Sequence, residues 1–134
     1  MSGLVLKLTP YERVLVNGAV IENGDRRSKL SILTPNANIL RLKDALRPNE
    51  ANTPVKRVCY VAQLALSGDA EPEEARLQMQ TGIDQLAQVF FDADSHEKLS
   101  AAKAALEKPD FYRALKLLRG LIPQEDRLIS AAGQ

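Results

Sequence analysis

The chain has 134 residues, with 18 basic and 17 acidic side chains, one histidine and one cysteine. That length suits one domain, or two small ones sharing a core, and 45% hydrophobic with 26% charged residues excludes wholesale disorder. The lone Cys59 excludes an internal disulfide, and the lone His96 excludes a multi-histidine metal site. No apolar run approaches the roughly 20 residues that span a bilayer, and the start of the chain lacks a secretory signal pattern. A cytoplasmic protein with no membrane contact is expected.

In chain order, Leu4-Val5-Leu6-Lys7-Leu8 alternates, placing Leu4, Leu6 and Leu8 on one face of a half-buried strand. Thr9-Pro10-Tyr11 punctuates the chain before a second strand, Glu12 to Val16. Asn17-Gly18 then forms a hairpin with Ala19 to Glu22, because both residues tolerate the positive φ of a type I′ turn. A second Asn-Gly, Asn23-Gly24, leads through Asp25-Arg26-Arg27 to the alternating run Lys29 to Leu33. Thr34-Pro35-Asn36 breaks it, and Asn38 to Lys43 is the fifth strand, with Arg41 and Lys43 on one face.

From residue 53 the period changes. Thr53-Pro54 supplies a capping hydroxyl and a first-turn proline, and Val55, Val58, Cys59, Ala62 and Leu66 follow at helical spacing until Ser67-Gly68. After an acidic start at Glu71-Pro72-Glu73-Glu74, Ala75, Met79, Ile83, Leu86, Val89 and Phe90 continue that period. Asp94-Ser95-His96-Glu97 resembles a capping box opening a helix from Lys98 to Lys108. Phe111, Leu115, Leu118 and Leu121 line a last helix ended by Gly120 and Pro123, and the tail from Gln124 to Gln134 has weak helical character. The fold class is α+β: a small antiparallel five-stranded N-terminal β-sheet or barrel, then a C-terminal bundle of three to four helices.

The charges divide along the same line. Residues 1–57 carry ten basic and five acidic side chains, and the remainder carries eight and twelve. The β-rich part, residues 1–50, is basic and the natural nucleic-acid face; the helical part, residues 53–134, is acidic and suits a partner or oligomer contact. Lys7, Arg13, Arg26, Arg27, Lys29, Arg41 and Lys43 are the candidate RNA-binding side chains, since cations on adjacent strands track phosphates and arginine forks reach unpaired bases. The same charges would equally form the solvated face of a half-buried sheet, and periodicity does not separate these readings. Phe90-Phe91 and Phe111-Tyr112 cannot both point inward on a helix, so Phe91 and Tyr112 are candidate partner contacts, with Phe90 and Phe111 in the core.

No constellation supports catalysis. Asp92, Asp94, His96 and Glu97 lack the spacing of a calcium loop and suit a helix cap. Cys59 lies on an apolar helix face, and no glycine loop precedes a Lys-Ser/Thr pair. No enzyme activity, cofactor or metal is expected.

The run Leu6 to Gly24, Leu-Lys-Leu-Thr-Pro-Tyr-Glu-Arg-Val-Leu-Val-Asn-Gly-Ala-Val-Ile-Glu-Asn-Gly, resembles the start of the FlbT family of flagellin regulators in flagellated alphaproteobacteria. The likeness continues through Asp25-Arg26-Arg27-Ser28 and Ile39 to Asp44, and more diffusely to about Pro123. It implies a post-transcriptional regulator that binds the 5′ untranslated leader of flagellin mRNA and controls its translation or decay. It also implies cooperation with a FlaF-type flagellar protein. The strand order further resembles the carbon storage regulator CsrA, whose first and last strands hold RNA; the matching region includes Leu6, Thr9, Arg41 and Lys43. Open edges on short strands favour a homodimer. The alternative reading is a protein-only adaptor or chaperone of flagellar assembly that acts through a small flagellar partner.

Overall fold

A computed structural model describes residues 4–35 and 37–133; Asn36 of the Thr34-Pro35-Asn36 break and Gln134 of the tail lie outside them. Its five strands are β1 (Leu4–Leu8), β2 (Arg13–Val16), β3 (Ala19–Glu22), β4 (Ser28–Ile32) and β5 (Ile39–Arg41). All pair antiparallel, in two sheets: an outer one of β1 and β4, and an inner one in the order β3–β2–β5.

Asn17 and Gly18, at φ 48° and 85°, close the β2–β3 hairpin with the left-handed geometry that Asn-Gly accommodates. The second Asn-Gly does something else. The Asn23 side-chain amide donates to the Thr9 and Arg26 carbonyls, at 2.8 Å each, and its oxygen accepts from the Ser28 hydroxyl at 2.7 Å. Asn23 therefore shapes the crossing from the inner sheet to the outer one.

Period-2 alternation sorts the side chains into layers. Leu6 and Leu8 of β1 pack against Val14 and Ile39 of the inner sheet, with Leu30 and Ile32 of β4 at the margin. On the opposite face of the inner sheet, the paired Leu15 and Leu40 join the helical core. The molecule is thus outer sheet, inner sheet and helices, with apolar cores on both sides of the middle layer. Each fully buried leucine in them contributes roughly 1.5–3 kcal/mol of transfer free energy.

The helices are α1 (Pro54–Ser67), α2 (Pro72–Leu86), α3 (Ala93–Glu107), α4 (Phe111–Arg119) and α5 (Ile122–Ala132). Thr53 caps α1 through its hydroxyl, which accepts from Lys56 N–H at 3.3 Å, and Gly68 at φ 83° stops it. Cys59 and Phe111 are buried, as their helical spacing predicts. Phe90 is buried as well, but α2 ends at Leu86, so Phe90 and Phe91 lie in the connection before α3 and not on a helix. At Gly82 of α2 a Cβ would stand 2.5 Å from the Val58 Cγ2 of α1, so glycine sets how closely these helices approach.

Several features differ from the sequence expectation. The five strands split into two sheets where one sheet or barrel was expected, and five helices, α1–α5, follow where three to four were expected. Strand β5 stops at Arg41, and Leu42–Asp44 form a single 3-10 turn closed by Ala45 N–H on the Leu42 carbonyl. Lys43 therefore does not share a strand face with Arg41. Helix α3 starts five residues early, because Asp92 rather than Asp94 caps it, accepting from Ser95 N–H at 2.9 Å, while Asp94 pairs with Lys98 one turn on. The tail is a docked helix: the buried Glu125 of α5 accepts from the Thr53 hydroxyl and, at 2.9 Å, from Val55 N–H. A carboxylate on the first turn of α1 satisfies a donor that the helix cannot, and complements its dipole.

Candidate nucleic-acid interface

The outer sheet turns Leu6, Leu8, Leu30 and Ile32 inward, so the alternate residues Val5, Lys7, Lys29 and Ser31 face solvent. Lys7 and Lys29 are directly opposite one another in the β1–β4 register. Arg27, just before β4, joins both lysines in lining one cleft with Leu8, Thr9 and Ser28. None of the three cations has an ion-pair partner among the described residues. Like charges facing each other across a ladder destabilise it, so the cluster is a positive surface that no ion pair among the described residues neutralises. Arg26 is exposed at the same end, its backbone carbonyl held by Asn23.

The other candidate cations are already engaged. Arg41 grips the buried Glu12 with two nitrogens, Nε at 2.7 Å and Nη2 at 2.9 Å, and Nη2 also donates to the Lys7 carbonyl at 2.5 Å. It thereby ties the last strand to the turn after β1 and to β1 itself. The Glu12 carboxylate also accepts from Thr9 N–H at 3.0 Å, which closes the Thr9–Glu12 turn with Tyr11 left-handed at φ 60°. The fork of Arg41, outweighing burial, holds the Glu12 carboxyl well below its usual range, at about 2. Lys43 stands 3.9 Å from the same carboxylate and remains half-exposed. Arg13 lies opposite Glu22 in the hairpin and bonds it at 2.8 Å. The seven cations thus separate into an unpaired group of Lys7, Arg26, Arg27 and Lys29 and an engaged group of Arg13, Arg41 and Lys43.

The two aromatic candidates also diverge. Phe91 is 83% exposed, beside the exposed Val89. Tyr112 is half-buried and packs against both apolar cores, joining helices to sheets. A mainly apolar groove is lined by Pro54, Leu86, Val89, Phe90, Leu128 and Ile129, with Glu125 among them; Phe91, next in sequence to Phe90, is not in its lining. A cleft of about 210 Å³ between β5 and α4 is lined by Tyr112 together with Leu40, Arg41, Asp44, Leu115, Lys116 and Arg119. Lys116 and Arg119 escape notice in the sequence, because α4 lies in the acidic part. Their signal is the spacing of 112, 116 and 119, which puts a tyrosine and two cations on one helix face.

Buried Cys59 has its thiol pushed up to about 12, chiefly by desolvation, so it is not a thiolate near neutral pH. Among the described residues no three of His, Cys, Asp and Glu converge as metal ligands, and no helix is long and apolar enough to cross a membrane.

Comparison with known proteins gives a consistent picture. The family described as "Flagellar protein FlbT" matches residues 4–129. A "Probable flagellum biosynthesis repressor protein FlbT" of Caulobacter sp. strain K31 is 33% identical over 124 residues, covering 92% of this chain and 94% of the relative. One from Bradyrhizobium diazoefficiens, similarly named, is 35% identical and covers 93% of this chain and 84% of the relative. The "Flagellum biosynthesis repressor protein FlbT" of Caulobacter vibrioides is 30% identical, covering 92% and 86%. No solved structure matches.

Proposed function

The chain belongs to the FlbT family, and on that premise we propose that it is a post-transcriptional regulator of flagellin synthesis that binds the 5′ untranslated leader of flagellin mRNA. The observation that carries RNA binding is the unpaired trio Lys7, Arg27 and Lys29 on the outer face of the outer sheet. Phosphates of a single strand laid across β1 and β4 would neutralise these cations, and Tyr11, 63% exposed in the adjoining turn, offers a ring for an unstacked base. Binding of this kind controls translation or decay of the message by occupying its leader, in the cytoplasm where the message is translated, and it calls for no cofactor.

Titration of the purified chain with flagellin leader RNA and a scrambled control, at several salt concentrations, tests the reading. A Lys7→Ala/Lys29→Ala double variant is expected to bind the leader more weakly and to flatten the salt slope by about 2. Arg13→Ala, whose cation already has Glu22, serves as the control with near-native binding. Wild-type protein that does not bind the leader, or a double variant with unchanged affinity and slope, would overturn it.

A second reading rests on the groove of Pro54, Val89, Leu128 and Ile129 and on the exposed Phe91, which follows the groove residue Phe90 in sequence. Its shape and apolarity suit an amphipathic helix of a protein partner such as a FlaF-type flagellar protein, so the chain would act as an adaptor for flagellar assembly. Phe91→Ser should then abolish co-purification with that partner and leave RNA titration unchanged. The exposed β3 edge, with Ala19, Val20 and Ile21 all open to solvent, is where a homodimer would form, and sedimentation of an Ile21→Lys variant checks it.

A further inference from the structure

The cleft between β5 and α4 carries a second cluster of cations, on the opposite side of the charge division from most of the sheet's cations. Lys116 and Arg119 enter it from α4, and Arg41 enters from β5. Leu40 and Leu115, both buried, line its apolar part, with Tyr112 beside them. Arg119 is steadied by donation from Nη2 to the Asp44 carbonyl at 3.0 Å, and Arg41 by Glu12. Lys116 is exposed and has no ion-pair partner among the described residues. The lining holds one acid, Asp44, and three cations, of which Arg41 is already paired with Glu12, so Lys116 and Arg119 supply the cleft's positive charge. Cations held around a recess with an apolar floor concentrate positive potential inside it.

We propose that this cleft is a nucleotide-phosphate site, with Lys116 and Arg119 meeting the phosphate and Tyr112 flanking the base. Arginine provides a planar fork and lysine a mobile point charge, a combination suited to phosphate. The phenol ring supplies the apolar, stackable wall that inorganic anions do not need and nucleotides use. Arg41 belongs to both places: Glu12 fixes its guanidinium, so the cleft's inner wall is pre-formed before any ligand arrives. The phosphate comes either from a residue of the bound RNA strand or from a free mononucleotide. The RNA source rests on the reading proposed above, and makes the strand's grip span the sheet and the helices.

The test compares wild type, Lys29→Ala and Lys116→Ala, all as full chains. Each is titrated with leader RNA across salt, and with adenosine monophosphate and inorganic phosphate followed by backbone amide NMR shifts. Lys116→Ala is expected to weaken RNA binding several-fold and to lower the salt slope by about 1. Adenosine monophosphate should shift amides at 41–44 and 112–119 in wild type and not in Lys116→Ala, with phosphate alone weaker. RNA affinity indifferent to Lys116, together with nucleotide shifts that require it, assigns the site to free nucleotide. Sensitivity to Lys29 with none to Lys116, and no nucleotide shifts, overturns the site and leaves the outer-sheet reading standing. Nucleotide shifts without RNA binding uphold the site and overturn that reading. Absence of both overturns both.

Discussion

Lys7 and Lys29 face solvent across the outer sheet with no carboxylate beside them, whereas Arg41 commits its guanidinium to Glu12 and to the Lys7 carbonyl. All three are cations on the same set of strands, and a charge count treats them alike. The difference lies in where the acids fall. Glu12 and Glu22 neutralise Arg41 and Arg13 in the inner sheet, whereas among the described residues no acid forms an ion pair with Lys7, Arg27 or Lys29. A basic segment therefore divides into cations that assemble the fold and cations without an ion-pair partner among the described residues, and only pairing distinguishes them.

The sharpest way to break that comparison is Arg41→Ala. It leaves Glu12, 7% exposed, with only the Thr9 N–H and hydroxyl and the distant Lys43, and removes the tie between β5 and β1. Loss of one partner from such a pair costs about 3 kcal/mol, visible in urea unfolding, whereas Lys29→Ala should stay within roughly 0.5 kcal/mol of wild type. A stable Arg41→Ala protein that has lost RNA affinity would reverse the assignment of the two groups.

A smaller effect follows from acid. The depressed Glu12 pKa means that its contribution is complete above the ordinary value of 4.5 and fades as pH falls towards about 2. Unfolding midpoints of wild type should fall through that window. Glu12→Gln should be less stable at neutral pH and flatter in the same window. Parallel curves for the two proteins would separate Glu12 from the acid response.

How much of this was open to sequence reading depends on sequence distance. Asn17-Gly18 dictates its hairpin locally, and the Thr53-Pro54 start and Gly68 stop of α1 are equally local. The pairing of β1 with β4 is not local, so Lys7 opposite Lys29 was beyond the reach of periodicity, although both were candidate cations. Glu12 and Arg41 are 29 positions apart, and the two ends of the Glu125 contact with Val55 are 70 apart. Nothing in the residues around 125 marks a carboxylate as a helix cap in another element. Tyr112 shows the same limit: its neighbour Phe111 fills the inward position, yet the sheets approach α4 closely enough to half-bury Tyr112 as well.

The smallest expected effect tests the comparison most directly, because its two readouts move in opposite directions. Lys29→Glu places a carboxylate opposite Lys7, converting a like-charge cross-strand pair into an attractive one. Such a change stabilises a ladder by roughly 0.2–1 kcal/mol, measurable as a raised unfolding midpoint at low salt that shrinks as salt is added. The same carboxylate reverses the charge beside Arg27 in the outer cleft and should weaken leader-RNA binding more than Lys29→Ala does. If the outer face were only a solvated surface, the stability gain would appear alone. A gain in stability coupled to a loss of RNA affinity means that the lysine pair is held at a cost to the sheet because a polyanion occupies that face.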